Sequence, residues 1–301
     1  MNEFELIDEI VHALGRAAAG TWVRLGPGDD SAVTAVPPGA ELVSSIDALV
    51  ADVHFPGAAD PELIGYRAMM VSASDLAAMG AGPGFALVAL SLERDDAAWL
   101  RGLGRGMGEA CIELGLPLVG GNLARGPVTI AVSVHGFAPA GTALRRSGAR
   151  PGDGVFVTGS LGLAAAAVAR GGLDAARPGD LDPLAAGYFR PRARLEAGQR
   201  LRGVATSLID LSDGLLQDLG HVCTASGVGA ELVGAAIPVA DGVRREHVLG
   251  GSDDYELCFT APAEPPALGI PVTRIGTIVA EPGVRLDGAP ASGGYQHFGR
   301  G

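Results

Sequence analysis

Aspartate residues recur at two kinds of position from which a carboxylate can reach a bound ligand: the ends of strand-like runs and glycine-rich turns. Asp47 ends the apolar run 42–47, Asp210 ends the run 208–210, and Asp30 follows two glycines. Magnesium favours carboxylate oxygens supplied by several segments, together with water and substrate phosphate. The pattern therefore indicates a phosphate–metal site, although ordinary turn chemistry also explains Asp30 when that residue is taken alone.

Two further aspartates fall on predicted helices. In the predicted helix 61–79, Asp75 lies on the same face as Ile64, within an apolar stripe. A charge in that position needs a hydrogen-bonding partner or a metal, and we favour metal coordination. Asp213 begins the predicted helix 212–225, where a carboxylate facing the helix N-terminus is the alternative to a metal ligand.

Other polar residues give weaker signals. His54 follows the same strand as Asp47, and by itself it is read more readily as a core histidine than as a ligand contact. Asp253 comes directly after a glycine-rich turn. The turn 159–162 precedes a helix and could hold an anion, but a simple strand-to-helix turn is the favoured interpretation.

Several classes of chemistry are excluded. The chain contains no lysine, so it cannot form a Walker A loop, and any phosphate it handles must be neutralised by arginine or by metal. Ser160 lacks the spacing of a serine-hydrolase elbow, and the histidines form no metalloprotease motif. The cysteines Cys111, Cys223 and Cys258 stand far apart, which predicts neither a disulfide framework nor a zinc site.

Charge and hydropathy bound the partners and the compartment. The formal net charge is −12 and the pI is about 4.9, which argues against nucleic-acid binding. No stretch approaches eighteen uninterrupted apolar residues, and the acidic first ten residues have no apolar export segment. We expect a soluble cytoplasmic protein that does not bind a membrane.

The order of helical and strand-like patterns predicts an α/β (α+β) fold with two domains. Helix patterns alternate with short apolar strand patterns in both halves of the chain. The stretch 145–153, which carries glycines and a proline, marks the boundary. We therefore expect domains at 1–145 and 146–301.

Taken in order, these segments resemble the thiamine-monophosphate kinase family (ThiL), part of the aminoimidazole-ribotide-synthetase-like or PurM-like superfamily. The match runs over nearly the whole chain, and its motifs are highly specific in combination. The matching stretches are Gly28-Asp29-Asp30-Ser31-Ala32, Asp47-Ala48-Leu49-Val50, His54-Phe55, Ser74-Asp75-Leu76-Ala77-Ala78-Met79-Gly80-Ala81, Gly120-Gly121, Arg125-Gly126-Pro127, His135-Gly136-Phe137, Arg146-Ser147-Gly148-Ala149, Ile209-Asp210-Leu211-Ser212-Asp213-Gly214-Leu215, Asp254-Tyr255-Glu256-Leu257 and Gly294-Tyr295-Gln296-His297-Phe298.

The resemblance implies a fold, ligands and residue roles. It implies an N-terminal half-barrel domain that pairs with its twin in a homodimer, and a C-terminal α/β domain. It also implies ATP as co-substrate, several Mg²⁺ ions, and no catalytic residue beyond the metal-binding set. Implied metal ligands are Asp30, Ser45, Ile46, Asp47, Asp75, Asn122, Asp210 and Asp213; implied ATP contacts are Gly121, Asn122, Arg146 and Ser212; implied contacts to thiamine monophosphate are His54, Asp253 and Tyr295.

Four positions depart from the family pattern. Asn122 replaces a metal-binding aspartate, Ile46 replaces a threonine, and Asp253 replaces a longer acid that faces the substrate. An aromatic residue expected near the nucleotide, around Gly104, is missing. These departures fall at ligand positions, so they bear on the substrate more than on the fold.

The resemblance thus implies ATP- and Mg²⁺-dependent phosphorylation of thiamine monophosphate to thiamine diphosphate. Because the acceptor is already an ionised phosphate, positioning and charge neutralisation suffice without a strong general base. Two alternatives remain: a diverged family member that phosphorylates another small molecule, which Asn122 and Asp253 motivate, or a catalytically silent nucleotide-binding dimer. The selenophosphate-synthesis branch is disfavoured because the chain lacks the cysteine and lysine expected near its start.

Overall fold

The computed structural model describes residues 3–28, 30–251 and 253–295, and the side chains from residue 5 onward. Two parts of the motifs above lie outside these residues, namely Asp29 and 296–298. The chain forms two compact units. Unit 1 comprises residues 1–76, 82–141 and 171–191, and unit 2 comprises residues 77–81, 142–170 and 192–301.

Unit 1 contains four helices and six strands in the part of the chain that the structure describes, with short 3₁₀ turns at Gly15–Ala18 and Leu173–Ala175. Helix α2 continues through Ala78, so its last two residues are counted with unit 2. In chain order the elements are α1 (Glu3–Leu14), β1 (Val23–Leu25), β2 (Val33–Thr34), β3 (Ala40–Val50), α2 (Pro61–Ala78), β4 (Gly82–Leu92), α3 (Ala97–Leu114), β5 (Leu118–Arg125), β6 (Thr129–Pro139) and, after an excursion into unit 2, α5 (Pro183–Phe189).

The main sheet of unit 1 has the strand order β3-β6-β4-β5, in which only β4 and β5 run parallel. Its buried face includes Ile130, Val132 and Val134 of β6, all fully buried. Their alternation with less buried neighbours is the two-residue period of a sheet with one covered face. In the strand order given above, β3 is the first strand and therefore lies at one edge of the sheet.

Helices α2 and α3 cross at glycines. A Cβ on Gly106 would lie 1.8 Å from the carbonyl oxygen of Glu62, and one on Gly65 would lie 2.2 Å from that of Leu103. Gly104 faces α1 instead, where a Cβ would lie 2.8 Å from the side chain of Ala13. Only glycine allows this approach of the helix backbones, so α3 forms despite the low helix propensity of its four glycines.

Unit 2 is built on a seven-stranded sheet with the order β13-β12-β9-β11-β7-β10-β8, in which β12 and β9 are the one parallel pair among the described strands. A 3₁₀ turn lies at Gly234–Ala236. The remaining elements are β7 (Gly154–Thr158), α4 (Leu163–Arg170), α6 (Leu195–Arg200), β8 (Ser207–Asp210), α7 (Leu215–Ser226), β9 (Gly229–Leu232), α8 (Arg245–Leu249), β10 (Leu257–Ala261), β11 (Val272–Val279), β12 (Gly283–Leu286) and β13 (Ala289–Pro290).

The core of unit 2 joins this sheet to α7. Strand residues such as Val155 and Ile209 pack in one cluster with Leu215, Leu219 and Val222 of the helix. Cys223 and Cys258 of this unit are buried and free, as is Cys111 of unit 1. Packing α7 on the sheet fixes its N-terminal end beside the ends of β8 and β10, which is where the motif with Asp210 and Asp213 lies.

The mixed helix and sheet content confirms the predicted α/β (α+β) class. Among the described residues, none of the helices has the length and apolar character that a bilayer crossing demands. Two predicted elements were wrong in their bounds. The helix predicted to begin at residue 212 begins at Leu215. The strand-like run 116–119, which predicts a short strand, is instead strand β5, Leu118–Arg125, which includes the glycine pair.

Candidate active site

Strand β3 and helix α2 bring three of the predicted metal ligands together in unit 1. Ser45 and Asp47 stand two residues apart on β3 and therefore project from the same face of the strand. The Ser45 hydroxyl donates a short hydrogen bond to Oδ2 of Asp75 on α2. Ile46 points to the opposite face and is 67% exposed, so its side chain is directed away from this cluster.

The surroundings of this cluster disfavour the ionised form of Asp47. Burial, together with repulsion from the Asp75 carboxylate, raises the pKa of Asp47 to about 6. The nearby Ser72 hydroxyl opposes this rise in the pKa only in part. Two carboxylates held in proximity with oxygen donors around them form the kind of group that a divalent cation neutralises.

The apolar stripe predicted for the helix that carries Asp75 is wrong. Helix α2 is buried on all sides from Leu63 to Ala78, with the exception of Asp75, which is partly exposed. The carboxylate therefore does not interrupt a buried face; it occupies the one accessible position in that stretch. A helix packed on every side has no apolar stripe, so helical periodicity could not locate this residue correctly.

Strand β5 carries the glycine pair and Asn122. A Cβ on Gly121 would lie 2.2 Å from the carbonyl oxygen of Val88 on β4, so this position tolerates only glycine. Gly121 and Asn122 are both exposed. Asp30 is exposed in the turn after β1.

The aromatic residue expected around Gly104 has no room there. Gly104 is buried in α3 against α1, and even a methyl group would lie 2.8 Å from Ala13. The position instead packs two helices of unit 1 against each other.

In unit 2, the turn between β8 and α7 holds Asp210, Ser212 and Asp213. Asp210 is buried at the end of β8. The Ser212 carbonyl accepts a hydrogen bond from the Asp253 N–H at 2.9 Å, and the Asp213 carbonyl accepts one from the Tyr295 N–H at 2.9 Å. The backbone of this aspartate-bearing turn is thus tied to two residues that were predicted to face the substrate.

Sequence reasoning missed Asp218, and it misplaced Asp213. Because α7 begins at Leu215, Asp213 precedes the helix, and Asp218 is the acid of the first turn. Asp218 accepts hydrogen bonds from the N–H groups of Asp213 and Gly214, both at 3.0 Å. Burial, with repulsion from Asp213, raises the pKa of Asp218 to about 7.

One histidine joins these carboxylates. Asp213, Asp218 and His221 each offer a ligand atom, and these atoms lie within 4.8 Å of one another. The spacing of Asp218 and His221 on α7 is the signal that could have revealed the group, since residues three apart share a helix face.

The turn 159–162 is a strand-to-helix turn that is held by side chains of the protein itself. The Gly162 N–H donates a 2.6 Å hydrogen bond to Asp254, whose pKa is raised to about 7 chiefly by burial. Glu256 is paired with Arg194 and accepts a hydrogen bond from Thr158 at 2.5 Å. These carboxylates brace the turn from within.

The remaining predicted contacts lie nearer the surface. Arg146 is exposed, and its carbonyl accepts a hydrogen bond from the Ser226 hydroxyl at 3.4 Å. Asp253 adopts a positive φ of 69° and accepts a 2.9 Å hydrogen bond from the Tyr255 hydroxyl. Tyr295 is 42% exposed.

His54 lies in the turn that follows β3 in unit 1, where it is partly buried. The Val50 N–H donates a 2.9 Å hydrogen bond to its Nδ1. Unit 1 thus brings Ser45 and Asp75 into contact, and unit 2 brings Asp213, Asp218 and His221 together. Oxygen-rich groups of this kind are suited to holding a divalent cation.

Most of the chain matches the sequence models of two domain families. Residues 28–138 match the AIR synthase related protein, N-terminal domain, and residues 150–288 match the AIR synthase related protein, C-terminal domain. Thiamine-monophosphate kinase of Escherichia coli O157:H7 is 41% identical over 300 residues, a match that spans 92% of each chain.

Solved structures resemble this one over nearly their full length. The crystal structure of thiamine-monophosphate kinase from Stenotrophomonas maltophilia K279a has a TM-score of 0.87 and 37% identity, covering 97% of this chain and 98% of that one. The structure of AaThiL complexed with AMPPCP and TMP has a TM-score of 0.80 and 30% identity, covering 98% and 97%. These matches confirm the predicted PurM-like two-domain fold.

Proposed function

The chain belongs to the thiamine-monophosphate kinase family, and we propose that it transfers the γ-phosphoryl group of ATP to thiamine monophosphate, which yields thiamine diphosphate and ADP. The observation that carries this proposal is the 41% identity to a thiamine-monophosphate kinase across 92% of both chains. AaThiL, a relative of the same fold, binds AMPPCP and TMP. We take these to correspond to the ATP and thiamine monophosphate of the proposed reaction.

The side chains fit magnesium. The donors of unit 1 are the Asp47 and Asp75 carboxylates with the Ser45 hydroxyl, and the raised pKa of Asp47 marks a negative charge that a cation would stabilise. Bound Mg²⁺ would neutralise charge on the phosphates and align them. We assign the metal-binding role to Asp30, Ser45, the Ile46 carbonyl, Asp47, Asp75, Asn122, Asp210 and Asp213.

In the proposed reaction, a terminal phosphate oxygen of thiamine monophosphate attacks the γ-phosphorus of ATP. The bond from that phosphorus to the β–γ bridging oxygen breaks, and ADP leaves with the bond electrons. No proton has to be removed from the attacking oxygen, which agrees with the lack of an assigned general base. Gly121, Asn122, Arg146 and Ser212 would position ATP, and His54, Asp253 and Tyr295 would position the acceptor.

We also propose that the chain works as a homodimer with a cytoplasmic location and a domain division at 145/146. Support for the dimer comes from β3, an edge strand that leaves Leu42 47% exposed and Ile46 67% exposed. Apolar side chains on an open sheet edge are a surface that a second copy can cover.

Product formation tests the proposal. Purified protein is incubated with ATP, Mg²⁺ and thiamine monophosphate, with and without a chelator, and thiamine diphosphate is separated and quantified. We expect chelator-sensitive product, and we expect Asp75→Asn to lower the rate about a hundredfold by removing a metal ligand. Asp241→Asn, at an exposed position, serves as the control and should leave the rate unchanged.

The departures Asn122 and Asp253 define the competing outcome. Binding of ATP without formation of thiamine diphosphate would refute the proposed acceptor. Phosphorylation of another small molecule under those conditions would then support a diverged member of the family.

A further inference from the structure

The turn that follows β3 holds the His54 ring by its own backbone. The backbone N–H of Val50 donates to Nδ1 of the His54 ring at 2.9 Å, while the backbone N–H of His54 donates to the Val50 carbonyl at 2.9 Å. Asp52 takes a positive φ of 62° and accepts a 2.8 Å hydrogen bond from the Gly57 N–H. Phe55 is buried beneath the turn. The imidazole is thus attached to a turn that is itself internally bonded.

This geometry selects one form of the ring. A backbone N–H is always a donor, so Nδ1 must be the acceptor and carries no proton. The proton of the neutral ring then lies on Nε2, so the ring nitrogen that can donate a hydrogen bond is Nε2.

A tyrosine from a distant part of the chain fixes the same residue from the other side. The Tyr188 hydroxyl donates a 2.8 Å hydrogen bond to the His54 carbonyl. Tyr188 belongs to α5 of unit 1 and is only 4% exposed. Because the hydroxyl of a buried tyrosine needs a partner, this bond restrains the turn at the residue that carries the imidazole.

Arg67 holds the tyrosine in turn. Its guanidinium carbon lies 4.1 Å from the centroid of the Tyr188 ring, and its Nη1 donates to the Tyr188 carbonyl at 2.6 Å. Arg67 itself is 2% exposed on α2. One planar cation therefore fixes both the ring and the backbone of Tyr188, a combination that lysine could not supply.

We propose that Arg67 and Tyr188 are positioning residues that hold His54 as a neutral Nε2–H donor for the phosphoryl acceptor. This inference rests on the proposed function, in which His54 contacts that acceptor. A donor of fixed direction recognises an acceptor atom of the substrate, either a phosphate oxygen or a ring nitrogen. Neither positioning residue touches the reacting atoms; both act through the turn.

The test compares two buried tyrosines of the same unit. Tyr188→Phe removes the bond to His54 but keeps the ring under Arg67. Tyr66→Phe is the matched control, since Tyr66 is also buried, its ring centroid lies 4.0 Å from the guanidinium carbon of Arg190, and its hydroxyl donates a hydrogen bond to Glu113 at 2.7 Å.

We expect Tyr188→Phe to raise the KM for thiamine monophosphate about fivefold, the size of one neutral hydrogen bond. The KM for ATP should stay unchanged, and Tyr66→Phe should change neither constant. A merely structural role would instead affect the two variants alike. Equal kinetic constants in Tyr188→Phe and the parent would overturn the positioning role.

A second measurement needs no turnover. Long-range proton–nitrogen NMR of the ligand-free protein reports the tautomer of each histidine, and the His54 signals are assigned by their loss in His54→Gln. We expect a single Nε2-protonated neutral ring in the parent and a mixture of tautomers in Tyr188→Phe. A ring protonated at Nδ1 in the parent, or no change in Tyr188→Phe, would contradict the inference. If thiamine monophosphate is not a substrate but the His54 tautomers are those expected in the parent and in Tyr188→Phe, the proposed function fails. The positioning of the His54 ring by Tyr188 is then still supported.

Discussion

Replacing Asp47 with asparagine should stabilise the metal-free protein while removing its activity. Asp47 is partly buried near Asp75, and both burial and that repulsion disfavour its charged form. Asparagine has nearly the same shape but carries no charge, so it is free of this penalty. The carboxylate is kept, in our account, because metal binding requires it.

The pKa gives the size of the effect. A rise from 3.8 to about 6 corresponds to about 3 kcal/mol of differential stability. Because the folded protein binds this proton more tightly than the unfolded chain, the contribution is fully present below about pH 4 and is lost as the pH rises through about 6. Asp47→Asn should therefore unfold with a free energy about 3 kcal/mol higher than the parent at about pH 8, and with little difference at about pH 4.

Urea unfolding in the presence of a chelator measures this difference in the free energy of unfolding. Repeating the experiment with Mg²⁺ measures how much the bound metal stabilises each variant. Mg²⁺ should stabilise the parent more than Asp47→Asn, which has lost one charged ligand. The exposed Asp241→Asn should follow the parent at every pH. If Asp47→Asn is no more stable than the parent at about pH 8 without metal, then burial and repulsion do not act on this carboxylate as argued.

Three further predictions follow from other parts of the chain. Asn122→Asp should tighten Mg²⁺ binding about tenfold in calorimetry, because it adds a charged oxygen; an unchanged affinity would remove this position from the metal site. Gly106→Ala should lower the free energy of unfolding by about 2 kcal/mol through overpacking, whereas Gly220→Ala, with open space around its Cβ, should raise it by about 1 kcal/mol. Equal effects would refute the packing argument. Arg194→Met should cost about 3–5 kcal/mol by leaving Glu256 buried without its cation, and a denaturation midpoint close to that of the parent would contradict this.

The sequence located most elements because their signals are local. The helix predicted after Asp60 begins at Pro61, where the Asp60 carboxylate accepts the Glu62 N–H at 3.0 Å, and it is followed by Gly80 in a left-handed conformation. Helix α4 begins at Leu163, directly after the turn 159–162 that was predicted to precede a helix. Caps and glycine stops are short-range features, so a single sequence is enough to read them.

Features that depend on contacts between distant parts of the chain could not be predicted from the sequence. Helix α3 was not predicted because its glycines disfavour a helix, and their value emerges only where Gly106 meets α2. Asp218 resembled an ordinary helical residue until the structure placed it under the N–H groups of Asp213 and Gly214. The bond from Tyr188 to His54 joins residues 134 positions apart, and no local pattern encodes it.

The most direct test of the central claim follows the phosphoryl group itself. The protein is incubated with Mg²⁺, thiamine monophosphate and ATP labelled with ¹⁸O on the γ-phosphoryl group, and the products are weighed by mass spectrometry. Direct transfer predicts that the label appears in the terminal phosphoryl group of thiamine diphosphate, with one ADP formed for each product molecule. Label recovered only as inorganic phosphate, with thiamine monophosphate unchanged, would contradict the assignment of this chain as a kinase acting on that acceptor.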